Sequence, residues 1–189
     1  MELWIILGLI IVTIVAVIAI YNDLVGANNR VERAWSDVVA YQRQKTKLIP
    51  ELEQMVKSYM EYEEALLSEV TRLRTSLSRL SEDHVDAGTL SEVESVTRSL
   101  FSRFNAVAEA YPNLASANLM QDLMGRLSRV EENVAAAITI FNRAVEQFNS
   151  TKESVPWNLV NATFNKYGRY TPFRDTEGEA DIEYKFQPN

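Results

Sequence analysis

IPELEQMVKSYMEYEEALLSEVTRLRTSLSRL, residues 49–80, carries apolar side chains at every seventh position in two interleaved series. Leu52, Tyr59, Leu66, Leu73 and Leu80 form one, and Ile49, Val56, Glu63, Val70 and Leu77 form the other. A seam of this period packs helices side by side at a shallow angle, as coiled coils and four-helix bundles do. Glu63 breaks the pattern. It is a candidate buried polar residue, either in a wet part of the bundle or paired with a buried donor.

Downstream, Ser81 to Thr89 is polar, holds Gly88 and the lone histidine, His84, and reads as a loop. A third helix follows from about Leu90 to Ala110, with Val93, Val96, Leu100, Phe104 and Val107 on one face, and Pro112 ends it. A fourth runs from about Ala115 to Ser150. Its seam alternates Leu127, Val134, Phe141 and Phe148 with Leu123, Val130, Ala137 and Ala144. Beyond Pro156, a segment to Phe173 is aromatic and basic, with Trp157, Phe164, Tyr167 and Phe173 as candidate contacts to a membrane surface or another subunit. The run from Arg174 is acidic and has no core to join.

Upstream, Leu24, Val31, Ala34, Trp35, Val38 and Tyr41 recur three or four apart, which predicts a helix from Tyr21 to about Lys45, with Gly26 as its one weak point. Around Thr46 to Pro50 that helix is expected to end or kink, because proline lacks a donor and clashes with the preceding turn. The stretch around Trp35 is expected to leave apolar surface exposed.

Before this helix, Leu3 to Ile20 is eighteen residues without a charge. About 20 apolar residues match a hydrocarbon core of about 30 Å, and no basic segment or small-residue cleavage site marks it as a signal peptide. Leu3, Trp4, Ile20 and Tyr21 delimit the anchor, with the two aromatic rings at its ends. Arg30 and Arg33 flank it on one side only, so the N-terminus is expected outside and the body in the cytoplasm. The expected organisation is an anchor over 1–21, a helical bundle over 22–152, an aromatic amphipathic segment over 153–173 and an acidic tail over 174–189. The fold class is all-α: a transmembrane helix continuing into an antiparallel up-and-down four-helix bundle.

The chain has 189 residues, no cysteine and a formal charge of -7. Disulfides and thiolate metal sites are excluded, and the charge argues against a general nucleic-acid binder. A di-metal carboxylate site in a bundle needs Glu-x-x-His pairs, and none occurs. With one histidine and no glycine-rich phosphate loop, nucleophilic triads and nucleotide chemistry are equally unsupported. No enzyme activity, metal or cofactor is expected.

The order of several short motifs resembles the LemA family. They are Asn29-Arg30-Val31, Ala34-Trp35-Ser36-Asp37, Leu48-Ile49-Pro50, Tyr59, Glu63, Leu66 and Val70-Thr71, then Tyr111-Pro112-Asn113-Leu114, Glu131, Phe141-Asn142, Ala144-Val145, Phe148-Asn149, Pro156 and Asn158-Leu159. The resemblance covers residues 1 to about 173. It implies a protein of the bacterial cytoplasmic (inner) membrane with an antiparallel four-helix soluble part, and no established activity. Two positions depart from the family pattern: Val39 stands where Asp is usual and Ile138 where Arg is usual.

Two functions are consistent with these features. One is a self-associating membrane-anchored scaffold that presents a helical surface to lipid and to other, unidentified proteins. The other is a tethered sensor or adaptor whose bundle binds a ligand or partner. Gly8 in an otherwise bulky anchor favours a homo-oligomer.

Overall fold

The structure, a computed structural model, describes residues 1–59, 64–110 and 118–174. Helix α1, Glu2–Tyr59, is 58 residues long, about 87 Å at about 1.5 Å per residue. Helices α2, Glu64–Arg79, and α3, Ala87–Ala110, form a hairpin, and α4, Asn118–Glu153, returns along α1. A short helix α5, Trp157–Val160, runs into a five-residue π-helical turn, Asn161–Asn165, and an extended strap to residue 174 completes the described chain. No strand occurs among the described residues.

Helix order and direction follow from the pairs that cross between helices. Glu51, Lys45 and Trp35 of α1 meet Arg126, Glu131 and Phe141 of α4 in turn, an antiparallel register held almost in step. Arg74 of α2 reaches back to Glu53 of α1 at 2.6 Å, so α2 runs antiparallel to α1. Glu69 and Ser76 of α2 meet Arg103 and Glu92 of α3 in the same antiparallel sense. The result is the expected all-α, up-and-down arrangement.

The seam residues do pack inward. Ile49, Leu52, Val56, Leu66, Val70, Leu73, Leu77, Leu80, Val93, Val96, Leu100, Phe104, Leu123, Leu127, Val134, Phe141 and Phe148 are all buried in one core. Val39 and Ile138 are buried there too, so the positions where the family pattern has charges belong to the apolar interior of this chain.

Three expectations need correction. The first helix does not end around Thr46 to Pro50; it continues to Tyr59 with Pro50 inside it. The reason is placement: Thr46 and Pro50 both lie on the exposed face, where water can satisfy the carbonyl that proline's missing N–H leaves free. Burial of Leu48, Ile49, Leu52, Met55 and Val56 on the opposite face outweighs the cost of about 3 kcal/mol. Residues 49–59 therefore belong to α1 and residues 64–79 to a separate antiparallel helix, α2, and not to one helix. Glu63 lies outside the described residues.

The third correction concerns Trp35. It is fully buried, stacked obliquely on Phe141 with ring centroids 5.4 Å apart, and its indole N–H donates to the Ser81 carbonyl at 2.8 Å. Ala34, Val38 and Val39 beside it are buried as well, and of the large apolar residues of this face only Tyr41 is exposed. Trp35 instead marks the level where the α2–α3 hairpin stops.

Above that level, in the distal half, four helices enclose the core. Below it, in the proximal half, α1 and α4 are the long helices that remain, α5 and the π-helical turn pack at their base, and the strap covers their third side. Leu3 to Ala16 of α1 project beyond the other described residues with their side chains exposed. This end of the helix is long and apolar enough to cross a membrane, and none of its most apolar window is buried.

Candidate functional site

Three places bring chemistry together. The first is inside the distal half. Lys45, with no exposed surface, lies 3.1 Å from Glu94 of α3 and 2.5 Å from Glu131 of α4, and it also donates to Thr97 at 3.2 Å. Gln42 adds a 2.6 Å hydrogen bond to Glu94. One ammonium thus faces two carboxylates. Burial is the larger influence and holds Glu131 above the usual carboxylate range, with Glu94 adding to it although Lys45 opposes it. With the ammonium sealed from solvent, the arrangement suits fixing three helices in register better than acting on a substrate.

The second place is the base of the proximal half. The indole N–H of Trp157 donates to Asp23 at 2.8 Å, so α4 and the turn after it return to the level of Asp23 on α1. From there the strap climbs back along α4, held by paired amides. Asn161, Asn149 and Asn142 each exchange two hydrogen bonds with the backbone N–H and C=O of Tyr167, Tyr170 and Phe173, respectively, at 2.8 to 3.2 Å.

The spacing explains the fit. Asn142 and Asn149 are seven helical residues apart, about 10.5 Å, and three extended residues span about 10 Å. Phe148 sits between the rungs with its ring against Tyr167 and Tyr170, at 6.0 and 5.2 Å between centroids. The Tyr170 hydroxyl donates to Asn28 at 3.0 Å. Burial, followed by nearby Glu32, pushes it above its usual range, so it keeps its proton.

The third place is a cleft of about 850 Å³ between these two systems. It is lined by Trp35 and Ser36 of α1, by residues 82–86 of the loop with the first residues of α3, and by Arg169, Tyr170 and Thr171 of the strap. Its charged lining is mostly acidic, with Glu32, Glu82, Asp83 and Asp86 against Arg169, and His84 lies among them. Asp86 also caps α3: its carboxylate accepts from the Thr89 N–H at 2.9 Å and the Thr89 hydroxyl at 2.6 Å, which hold it below the usual range. Among the described residues no group of three or more His, Cys, Asp or Glu side chains is placed to hold a metal ion.

Residues 34–186 match the sequence model of the LemA family. The chain belongs to the LemA family. Protein LemA of Metamycoplasma hominis is 26% identical over 129 residues, which is 68% of this chain and 58% of that protein. The match thus spans less than two thirds of the curated relative.

The residues named from the sequence are distributed as follows in this LemA-family chain. Leu3 and Trp4 are exposed on the projecting end of α1, and Ile20 and Tyr21 stand where the body begins. Trp157, Tyr167 and Phe173 are half-buried against protein, whereas Phe164 is 59% exposed. Sequence reasoning missed the Lys45 group and the amide ladder. Both had a signal. Extending the Leu52 series back by seven lands on Lys45, and the repeated Phe-Asn at 141–142 and 148–149 has the helical repeat that the strap requires.

Proposed function

We propose that this LemA-family protein is a non-catalytic, single-pass membrane-anchored scaffold that self-associates and presents its helical body to other proteins. The observation that carries this reading is α1, which passes without a break from an uncharged, uncovered stretch into the core of the body. A helix apolar on all sides with nothing packed on it is stable in lipid, where its backbone groups are satisfied internally. The body is then held upright and has no flexible tether. Such a mount suits presentation of a surface better than long-range capture.

Arg30 and Arg33 on one flank support a body on the cytoplasmic side of the bacterial inner membrane. A reporter active only outside the cytoplasm, fused after Asn189, should stay silent. An active reporter would put the body outside.

Self-association has its natural contact at Gly8, where an added Cβ would have nothing within 4 Å, so a second anchor helix can approach closely. Crosslinking in native membranes should give a defined oligomer that Gly8→Leu reduces. Monomer at every dose would sink this part of the proposal.

The cleft beside Trp35 favours a second reading, an adaptor that binds a cationic or polar ligand between the loop before α3 and the strap. Size in mild detergent separates the two. A large defined particle supports the scaffold, and a monomer whose melting shifts with a cationic ligand supports the adaptor.

A further inference from the structure

We infer that the turn from Val155 to Phe164 lies in the membrane interface beside the anchor and forms a second lipid contact, which fixes the tilt of the body. This rests on the reading of residues 3–20 as the anchor. Level comes first. The Trp157 N–H is bonded to Asp23, three residues past Ile20 and so about 4.5 Å along the axis from the end of the uncharged stretch. The interfacial zone of a bilayer is wider than that on each side.

Cover points the same way. Side chains from Leu3 to Ala16 are all exposed, and Val17 and Ile20 are the first to be half-buried. Helix α5 and the π-helical turn are packed on α1, so the body reaches the last turns of the anchor.

Exposure then selects the partner. Val155 is 72%, Leu159 63% and Phe164 59% exposed, while Val160 of the same turn is 6% exposed and faces inward. The exposed apolar side chains are accompanied by exposed Lys166 and by half-buried Lys152. Apolar side chains with lysines, held at the level where a bilayer's headgroups begin, suit an anionic phospholipid surface.

The absence of cysteine makes the test direct, since single cysteines can be introduced in the full chain. Ile10→Cys, Leu159→Cys, Phe164→Cys and Ile140→Cys are each labelled with a nitroxide in nanodiscs of phosphatidylcholine and phosphatidylglycerol. Accessibility to oxygen and to a water-soluble nickel chelate is then measured. Ile140, exposed on α4 well above the base, is the aqueous reference, and Ile10 is the lipid reference.

The inference predicts oxygen-to-nickel ratios at 159 and 164 between those of 10 and 140 and well above that of 140. Ratios equal to that at 140, with 10 in lipid, would overturn the inference and leave the anchor standing. Shielding from both reagents would assign the surface to a second protein copy and overturn it as well. An aqueous value at 10 would remove the anchor reading, and this inference with it.

Discussion

The distal and proximal halves are built on the same α1–α4 pair, yet the third side is closed in different ways. Distally the α2–α3 hairpin closes it with apolar seams and one buried ammonium, whereas proximally an extended strap closes it through paired asparagine amides. The first solution gains from apolar area removed from water, about 25 cal/mol per Å². The second gains from backbone groups that would otherwise lack partners. Long helices are therefore not needed along the full length of the rod. Damage to either half should stay local.

The largest effect is expected from Lys45→Met, which leaves Glu94 and Glu131 facing each other without a cation. Denaturant unfolding of the full chain in detergent should show a loss of about 3 to 5 kcal/mol. Glu131→Gln should be tolerated and sharpen the point through pH. Because the folded value of Glu131 is raised, its contribution is complete below the usual value of 4.5 and is lost as pH rises through the folded value. The substitution should flatten that decline. Asp86 and Glu51, lowered by Thr89 and Arg126, act in the opposite sense and lose their contribution as pH falls through their folded values.

Next in size is Asn149→Ala, which strips Tyr170 of both backbone partners and should cost about 1 to 3 kcal/mol. Hydrogen exchange should show lost protection at Tyr170 and Phe173 with α2 and α3 unchanged. Loss of protection in both halves together would mean that the halves form one cooperative unit. Asp86→Ala should cost about 1 kcal/mol through the lost cap of α3, measured as a lower denaturation midpoint.

The smallest changes are gains. Lys166 adopts a left-handed conformation at φ 55, which costs a residue with a side chain about 1 to 2 kcal/mol. Lys166→Gly should recover about half of that. Gly26→Ala should add up to about 1 kcal/mol, since the new Cβ would meet only Arg30 at an ordinary 3.7 Å. A loss at Gly26 would point to a bend that the structure does not have.

How much of this could be read beforehand follows the same division. The seams of the distal half were legible because burial on a helix repeats along the chain. That α1 and α2 are two antiparallel helices was hidden, since the series through Leu52 and Leu66 keeps its phase from one to the other. Pro50 misled because its effect depends on whether it faces water or core, which no local rule decides. In the proximal half the strap has no period of its own, and only the Asn142 and Asn149 spacing carries its position. Lys45 was obscured by its type, because lysine on a seam is read as surface until its two carboxylates are found on other helices.

The most direct test of the central claim, that anchor and body share one continuous helix, is a distance between nitroxides at Ile10→Cys and Lys47→Cys in nanodiscs. Thirty-seven residues of unbroken helix predict a narrow distribution near about 55 Å. A broad distribution centred well below that value would mean a hinge between anchor and body, and would contradict the upright mount on which the scaffold reading depends.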